Sequence, residues 1–263
     1  MDEINEDTVN TEQDGSESFS RNGDLAGSFF GRYDIPLSIK REGISISMEK
    51  HADVLVYKRE TPYETMERVL LADNAQILIN PVEPLNTPKE ITPFLHIEFE
   101  KVLVLEPKVS KVVCITFPIE IGVFISGSKD LESLDIFSLE KQKFTLYGDP
   151  SNGIICRSWG SDVHPVIPPL NPLHSGVLSL KIINTTGKWL QVSQAVFNAY
   201  GMKIYYNKDV VSMKASMRIM SNRTAETDFM DSPIIAEMEN SLELYTVRKL
   251  VVTSTKYVME AGI

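Results

Sequence analysis

The chain has 263 residues, of which 43% are hydrophobic and 24% charged, and a formal net charge of −10 at pH 7. This balance is typical of a globular protein with a buried core, and the length allows one large or two ordinary domains. No apolar run reaches the ~20 residues of a membrane helix, and no apolar run follows a basic N-terminus. The sequence therefore predicts a cytoplasmic protein without a membrane span.

Most of the acidity lies in the first 28 residues. The range 1–28 holds eight carboxylates, a single arginine and few large apolar side chains, so we predict a disordered acidic tail. The remaining chain is near neutral and has no basic patch. Because nucleic-acid binding depends on clustered lysines and arginines that neutralise phosphates, nucleic acid is not predicted as a partner.

Alternating apolar and polar residues begin after the tail. Two such runs flank a Gly-containing turn within 35–48, which predicts a β-hairpin with one buried face. Further short strand patterns, separated by turns, continue to residue 157 and indicate an antiparallel sandwich or barrel. One exception is 129–137, where the pattern allows a short helix. We predict that 29–157 forms an N-terminal β-sandwich or barrel domain.

A proline cluster follows at 158–175, which we interpret as a stiff connection between two domains; a long loop within one domain is the alternative. The range 176–263 repeats the strand pattern, most clearly at 210–220, with a second possible helix at 232–241 and a last strand at 242–252. This predicts an immunoglobulin-like sandwich without the Cys-Trp-Cys signature. The predicted fold class is thus all-β: two antiparallel β-sandwich domains, the second immunoglobulin-like, behind the acidic tail.

Several segments together resemble an archaeal family of uncharacterised proteins, known only as a domain of unknown function. They are ILINPVEP (77–84), IEFE (97–100), FPIEIGV (117–123), LYG (146–148), GIICR (153–157) and YGMKIYY (200–206). The resemblance covers about residues 29–252. It implies a mostly β fold, and it offers no catalytic residues to transfer to this chain.

The densest polar cluster lies at the start of the proline-rich connection. It combines Arg157, Trp159, Asp162 and His164, which are a fixed cation, an aromatic platform, a carboxylate and an imidazole. Loops on rigid sheets often carry binding residues, so these four residues are the candidate lining of a ligand pocket between the domains. The favoured interpretation is that Arg157 and Trp159 seal the domain junction and that the histidines are exposed to solvent.

Metal binding is a weaker hypothesis for the same region. Asp162, His164 and His174 offer oxygen and nitrogen ligands of the kinds that bind transition metals. On another strand, His96 and Glu98 share a face and could hold a metal, but we expect this to be a polar face exposed to solvent. The two cysteines, Cys114 and Cys156, lie in apolar runs and are predicted to be buried thiols.

Function is predicted only in outline. The sequence has no phosphate-binding loop, no nucleophile elbow and no zinc-protease motif. We therefore predict a non-enzymatic binding or interaction module with another protein as partner and no cofactor. The first alternative is small-ligand or metal binding by the 157–174 loop, and a hydrolase is the least favoured. The methionines concentrated at 202–238 fit either a padded core or an adaptable binding surface. Oligomeric state is not predicted.

Overall fold

The computed structural model describes residues 28–72, 75–87, 89–126, 131–244 and 255–263. The described elements are β-strands and one 3-10 turn, Ala199–Gly201. The prediction of an all-β protein is confirmed for these residues. The predicted tail, apart from its last residue, lies outside them. No helix in the described ranges has the length and apolar character needed to cross a membrane.

The strands follow one another at short intervals. In chain order they are β1 (Gly31–Tyr33), β2 (Leu37–Arg41), β3 (Ile44–His51), β4 (Val54–Glu60), β5 (Thr65–Leu70), β6 (Gln76–Val82), β7 (Phe94–Leu105), β8 (Ser110–Pro118), β9 (Glu120–Ser126), β10 (Leu131–Phe137), β11 (Phe144–Tyr147), β12 (Ile154–Ser161), β13 (Ser175–Asn184), β14 (Leu190–Asn198), β15 (Tyr205–Tyr206), β16 (Val211–Ile219), β17 (Ala225–Met230), β18 (Glu239–Asn240) and β19 (Tyr257–Met259).

These strands form four sheets. Their spatial orders are β1-β6-β9-β10, β2-β3-β4-β5, β11-β12-β7-β14 and β18-β15-β16-β13-β8, with β17 beside β16 and β19 beside β17. The predicted hairpin is confirmed, because β2 pairs with β3 from Leu37 opposite Met48 to Arg41 opposite Ile44. Most ladders are antiparallel, but β12 runs parallel to β7 and β13 runs parallel to β16.

The ladders cross the predicted boundary at 158–175. Strand β8 pairs with β13, with Thr116 opposite Val177, and β7 pairs with β14, with Leu95 opposite Phe197. Two sheets therefore contain strands from both sides of this boundary. The strand pairing does not divide the chain into two separate sandwiches here. Alternation specifies which segments are extended and which face is buried, but not which edge a strand joins.

The strand preceding the connection is longer than predicted. Residues 158–161 belong to β12, whose pairing with β7 runs from Arg157 opposite Leu95 to Ser161 opposite Phe99. The loop prediction for these residues is wrong, because the parallel pairing with β7 keeps the backbone extended through Trp159 and Gly160.

Both helix predictions are wrong as well. Strand β10 contains a bulge between Ser133 and Asp135, so Leu134 and Asp135 are both buried. A bulge interrupts the two-residue period, which explains the helix-like pattern in the sequence. The second candidate, 232–241, forms turns and the short strand β18. The predicted strand at 242–252 lies mostly outside the described residues.

Most of the core is one apolar cluster that extends across the sheets, and a second, small cluster contains Leu78, Val82, Phe124 and Leu244. Strand β16 shows the predicted alternation, with Met213, Ala215 and Met217 fully buried. Met202 is also buried, whereas Met220 and Met230 are partly exposed. Burial of such a side chain contributes about 1.5–3 kcal/mol relative to exposure. The methionine-rich segment is thus mainly core, as one of the two interpretations predicted.

Candidate functional site

Trp159 holds β12 against β8. Its indole Nε1 donates a hydrogen bond of 2.9 Å to Thr116 Oγ1, and the backbone N of Thr116 donates one of 2.8 Å to Ser161 Oγ. The ring is half-buried and packs against the main core. These contacts join two sheets and give Trp159 a structural position.

Asp162 and His164 make separate contacts further along the chain. The Oδ1 atom of Asp162 lies 3.4 Å from Nζ of Lys101, in an ion pair whose lysine is 81% exposed. His164 forms a backbone bridge with Cys114, in which each residue donates a hydrogen bond of 2.8 Å to the other. Among the described residues, no hydrogen bond or ion pair joins the side chains of Arg157, Trp159, Asp162 and His164.

The three weak metal candidates are not brought together either. His174 lies with its Nδ1 atom 2.6 Å from Oε1 of Glu140, whereas Asp162 pairs with Lys101. The described part of the chain contains no group of three or more histidine, cysteine, aspartate or glutamate side chains that could hold a metal ion. The metal hypothesis for Asp162, His164 and His174 therefore lacks its geometry.

Arg157 differs from the other members of the predicted cluster, because it is buried to 1% exposure. Its guanidinium lies 5.8 Å from the centre of the Phe144 ring, and its Nε and Nη1 atoms have no hydrogen-bond partner among the described residues. The pKa of Arg157 is lowered because the side chain is buried. The negative charges of Glu120 and Glu140 act in the opposite direction but do not outweigh the burial. An arginine nevertheless stays charged at any physiological pH.

Glu120 is a buried carboxyl group that interacts electrostatically with Arg157. It is fully buried in β9 and accepts hydrogen bonds from Thr87 Oγ1 at 2.6 Å and from Asn86 N at 2.9 Å. Gln142 Nε2 adds a longer one at 3.3 Å. Burial raises the pKa of Glu120 to about 7, and the hydrogen bonds and the Arg157 charge only partly oppose this. Glu120 therefore titrates near neutral pH.

Thr87 and Gln142 link Glu120 to a cavity of about 350 Å³, which we call the acidic cavity. It lies between the turn that joins β4 to β5 and the connection that joins β10 to β11. Its lining includes Arg59, Tyr63, Glu64, Phe137, Ser138 and Glu140. Tyr63 is 83% exposed, so an aromatic ring stands at the mouth.

The arginine that lines the acidic cavity, Arg59, forms an ion pair with Asp135, which lies outside the cavity lining. Arg59 Nε donates a hydrogen bond of 2.6 Å to Asp135 Oδ2, and its guanidinium stacks 4.6 Å from the centre of the Phe137 ring. Its Nη2 lies 3.2 Å from Glu64 Oε2. Asp135 balances Arg59 from behind the lining, while Glu64 and Glu140 contact Arg59 Nη2 and His174 Nδ1. The lining therefore holds two carboxylates against one arginine, which gives the cavity a net negative character.

Four of these charged groups, Arg59, Glu120, Asp135 and Glu140, were missed at the sequence level. A signal was present for two of them. Glu120 and Asp135 each stand between apolar neighbours in a strand, and charged residues are almost never fully buried unless they are paired. His96 was also placed wrongly, since it is 7% exposed beneath Gln194 and Tyr147.

Comparison with known proteins gives a family but no activity. The family model described as a protein of unknown function (DUF432) matches residues 29–260, so the chain belongs to this family. The resemblance to a domain of unknown function is thereby confirmed, whereas the archaeal origin stays a prediction. No curated protein and no solved structure is significantly similar to the chain.

Proposed function

We propose that the chain is a non-enzymatic binding module that recognises a lysine or arginine side chain of a partner protein in the acidic cavity. The observation that carries this proposal is the placement of Glu64, Glu140 and the exposed Tyr63 around one opening. A cationic side chain entering there meets two carboxylates and an aromatic face. Both are favourable partners for an ammonium or guanidinium group.

Size and rigidity support the same function. A cavity of about 350 Å³ is large enough for a single side chain and small for a large cofactor. Its inner wall is fixed by the ion pair between Arg59 and Asp135 and by the bonds from Thr87 and Gln142 to Glu120. A preformed wall lowers the entropy lost on binding.

Reactive groups support a binding role over catalysis. The two thiols are buried, and burial raises the pKa of Cys156 to about 12 and also raises that of Cys114. A thiol with a raised pKa is a poor nucleophile at neutral pH.

The alternative small-ligand site was predicted at Arg157, Trp159, Asp162 and His164. Only Arg157 keeps buried donors without partners, at Nε and Nη1. An anionic ligand at these donors is repelled by the carboxylates of Glu120 and Glu140, which act on the same arginine. We therefore prefer the cationic partner and keep ligand binding at Arg157 as the second proposal. A cytoplasmic location stays a prediction from the sequence.

The test uses short peptides and the full chain. We expect peptides with a central lysine or arginine to shift the NMR signals of residues that line the acidic cavity, and a matched norleucine peptide to leave them unchanged. Binding is expected to weaken with added salt, because the attraction is electrostatic at a partly exposed site.

Two variants locate the interaction. Glu140→Gln and Glu64→Gln remove the negative charge with little change in shape, and each is expected to weaken peptide binding about three- to tenfold. Glu67→Gln is the matched control, because Glu67 is exposed on β5 outside the cavity lining. Equal binding of the norleucine peptide, or equal loss in the control, contradicts the proposal.

A further inference from the structure

A second cavity, of about 440 Å³, lies at the turn that joins β11 to β12. We call it the turn cavity. Its lining includes Leu146, Tyr147, Asp149, Pro150, Gln194 and Arg223. It shares none of its lining residues with the acidic cavity, so it is an independent site.

The turn cavity carries two opposite charges that do not neutralise each other. Arg223 and Asp149 both line it, yet within the described ranges neither forms an ion pair. Asp149 Oδ1 accepts hydrogen bonds from the backbone N of Ser151 at 2.8 Å and from its Oγ at 2.5 Å. These bonds lower the pKa of Asp149, so its charge persists at neutral pH.

A buried histidine fixes a third polar group of the turn cavity. His96 Nε2 lies 2.7 Å from Gln194 Oε1, so this oxygen accepts a hydrogen bond and the Nε2 amide hydrogens of Gln194 remain as donors. The other ring nitrogen of His96, Nδ1, is buried and has no partner among the described residues. The bond to His96 thus holds the amide of Gln194, which lines the cavity, and leaves its Nε2 hydrogens unused by His96.

We propose that the turn cavity binds a small zwitterion, a molecule that carries both a carboxylate and an ammonium group, such as a free amino acid. The carboxylate is received by Arg223 and by Nε2 of Gln194, and the ammonium group is received by Asp149. Arginine suits this role because its planar fork matches a carboxylate.

The charge arrangement excludes simpler ligands. An anion alone is attracted by Arg223 but repelled by Asp149, and a cation alone meets the reverse. Only a ligand with both charges gains from both groups. The exposed parts of Leu146 and the ring of Pro150 provide apolar contact for the rest of the ligand.

The test is calorimetric titration of the full chain with single compounds. We expect free alanine, leucine or glutamate to bind, and N-acetylation or amidation of the same amino acid to reduce the affinity about tenfold or more. Acetate and methylamine, which carry one charge each, are expected to bind weakly. Acetate binding as tight as that of the amino acid, or no heat from any amino acid at about 10 mM, overturns the proposal.

Variants assign the two ends of the ligand. Arg223→Gln is expected to remove discrimination between the free acid and its amide, and Asp149→Asn to remove discrimination between the amine and its N-acetyl form. Arg218→Gln is the matched control, since Arg218 is exposed on β16 and does not line the cavity. Circular dichroism verifies that each variant folds. Unchanged discrimination in a folded Arg223→Gln protein contradicts the assignment, whatever the outcome at the acidic cavity.

Discussion

Arg59 on β4 and Asp135 on β10 form a buried ion pair, with 2.6 Å between Nε and Oδ2, although 76 positions separate them in the chain. Each side chain is 2% exposed. Tyr57 donates its hydroxyl hydrogen to the same Oδ2 atom at 2.9 Å. The pair therefore joins the sheet of β2–β5 to the sheet that contains β9 and β10, and it forms the inner wall of the acidic cavity.

Removal of the Asp135 charge is predicted to destabilise the fold strongly. In Asp135→Asn the guanidinium of Arg59 stays buried and keeps only the exposed carboxylate of Glu64 as an ionic partner. Loss of one partner from a comparable buried pair costs about 3–5 kcal/mol. Urea unfolding followed by circular dichroism measures this loss. Glu60→Gln, which removes the partner of the exposed Lys58, serves as the control and is expected to leave the midpoint unchanged. An equal loss in both variants contradicts a special role for the buried pair.

The ion pair also shows what the sequence could and could not predict. The strands with clean alternation, such as β16 and the first five residues of β3, were predictable because one face is buried along these stretches. The partner strands were not, because hydrogen bonding between distant segments depends on tertiary packing. At β10 the bulge beside Asp135 altered the period itself and concealed a strand.

The candidate site was predictable only in part, for a related reason. Arg157 was selected because a cation stood near other polar residues in the sequence, and it proved to be the buried one. Its sequence neighbours Trp159 and Asp162 contact β8 and Lys101. The carboxyl groups that interact electrostatically with Arg157 are those of Glu120 and Glu140, and they come from other strands and loops. Charge clusters built from distant segments leave no local spacing to recognise.

Trp159 is predicted to stabilise the fold through its indole hydrogen bond as well as through packing of its ring. Trp159→Phe keeps an aromatic side chain but leaves Thr116 Oγ1 without the indole donor, and we expect a loss of about 1 kcal/mol. Thermal unfolding measures the change. The chain has one other tryptophan, Trp189, which is 65% exposed, so Trp189→Phe is the matched control. A larger loss of stability in Trp189→Phe than in Trp159→Phe contradicts a stabilising contact of Trp159 between β12 and β8.

The two thiols are predicted to be unreactive in the folded protein. Burial raises the pKa of Cys156 to about 12 and also raises that of Cys114, so very little thiolate is present at neutral pH. We expect a chromogenic disulfide reagent to label neither cysteine rapidly in buffer and both in denaturing urea. Cys156→Ser and Cys114→Ser, measured separately, assign any residual signal. Rapid labelling of native protein at Cys156 contradicts its buried position in β12.

Glu120 links stability to pH with a definite sign. Burial raises its pKa from the ordinary value of 4.5 to about 7 in the folded protein. Between these two values the folded state keeps the proton while the unfolded state releases it. Stability therefore decreases as the pH rises through this window, by about 3 kcal/mol in total if the whole shift is expressed. Above the folded-state pKa both states are ionised and this contribution stops changing.

Glu120→Gln is therefore predicted to flatten this part of the stability profile. The glutamine cannot ionise, so the free energy of unfolding between about pH 5 and pH 7.5 loses the decrease that Glu120 causes. Urea titrations at four pH values across the window measure the slope for each protein. All other ionisable groups are common to both proteins, so the difference between the two profiles isolates Glu120. Glu98→Gln, at an exposed position on β7, is expected to keep the wild-type slope. Parallel profiles for the wild type and Glu120→Gln would mean that the buried carboxyl group is already ionised at pH 5, stabilised by the donors of Asn86 and Thr87.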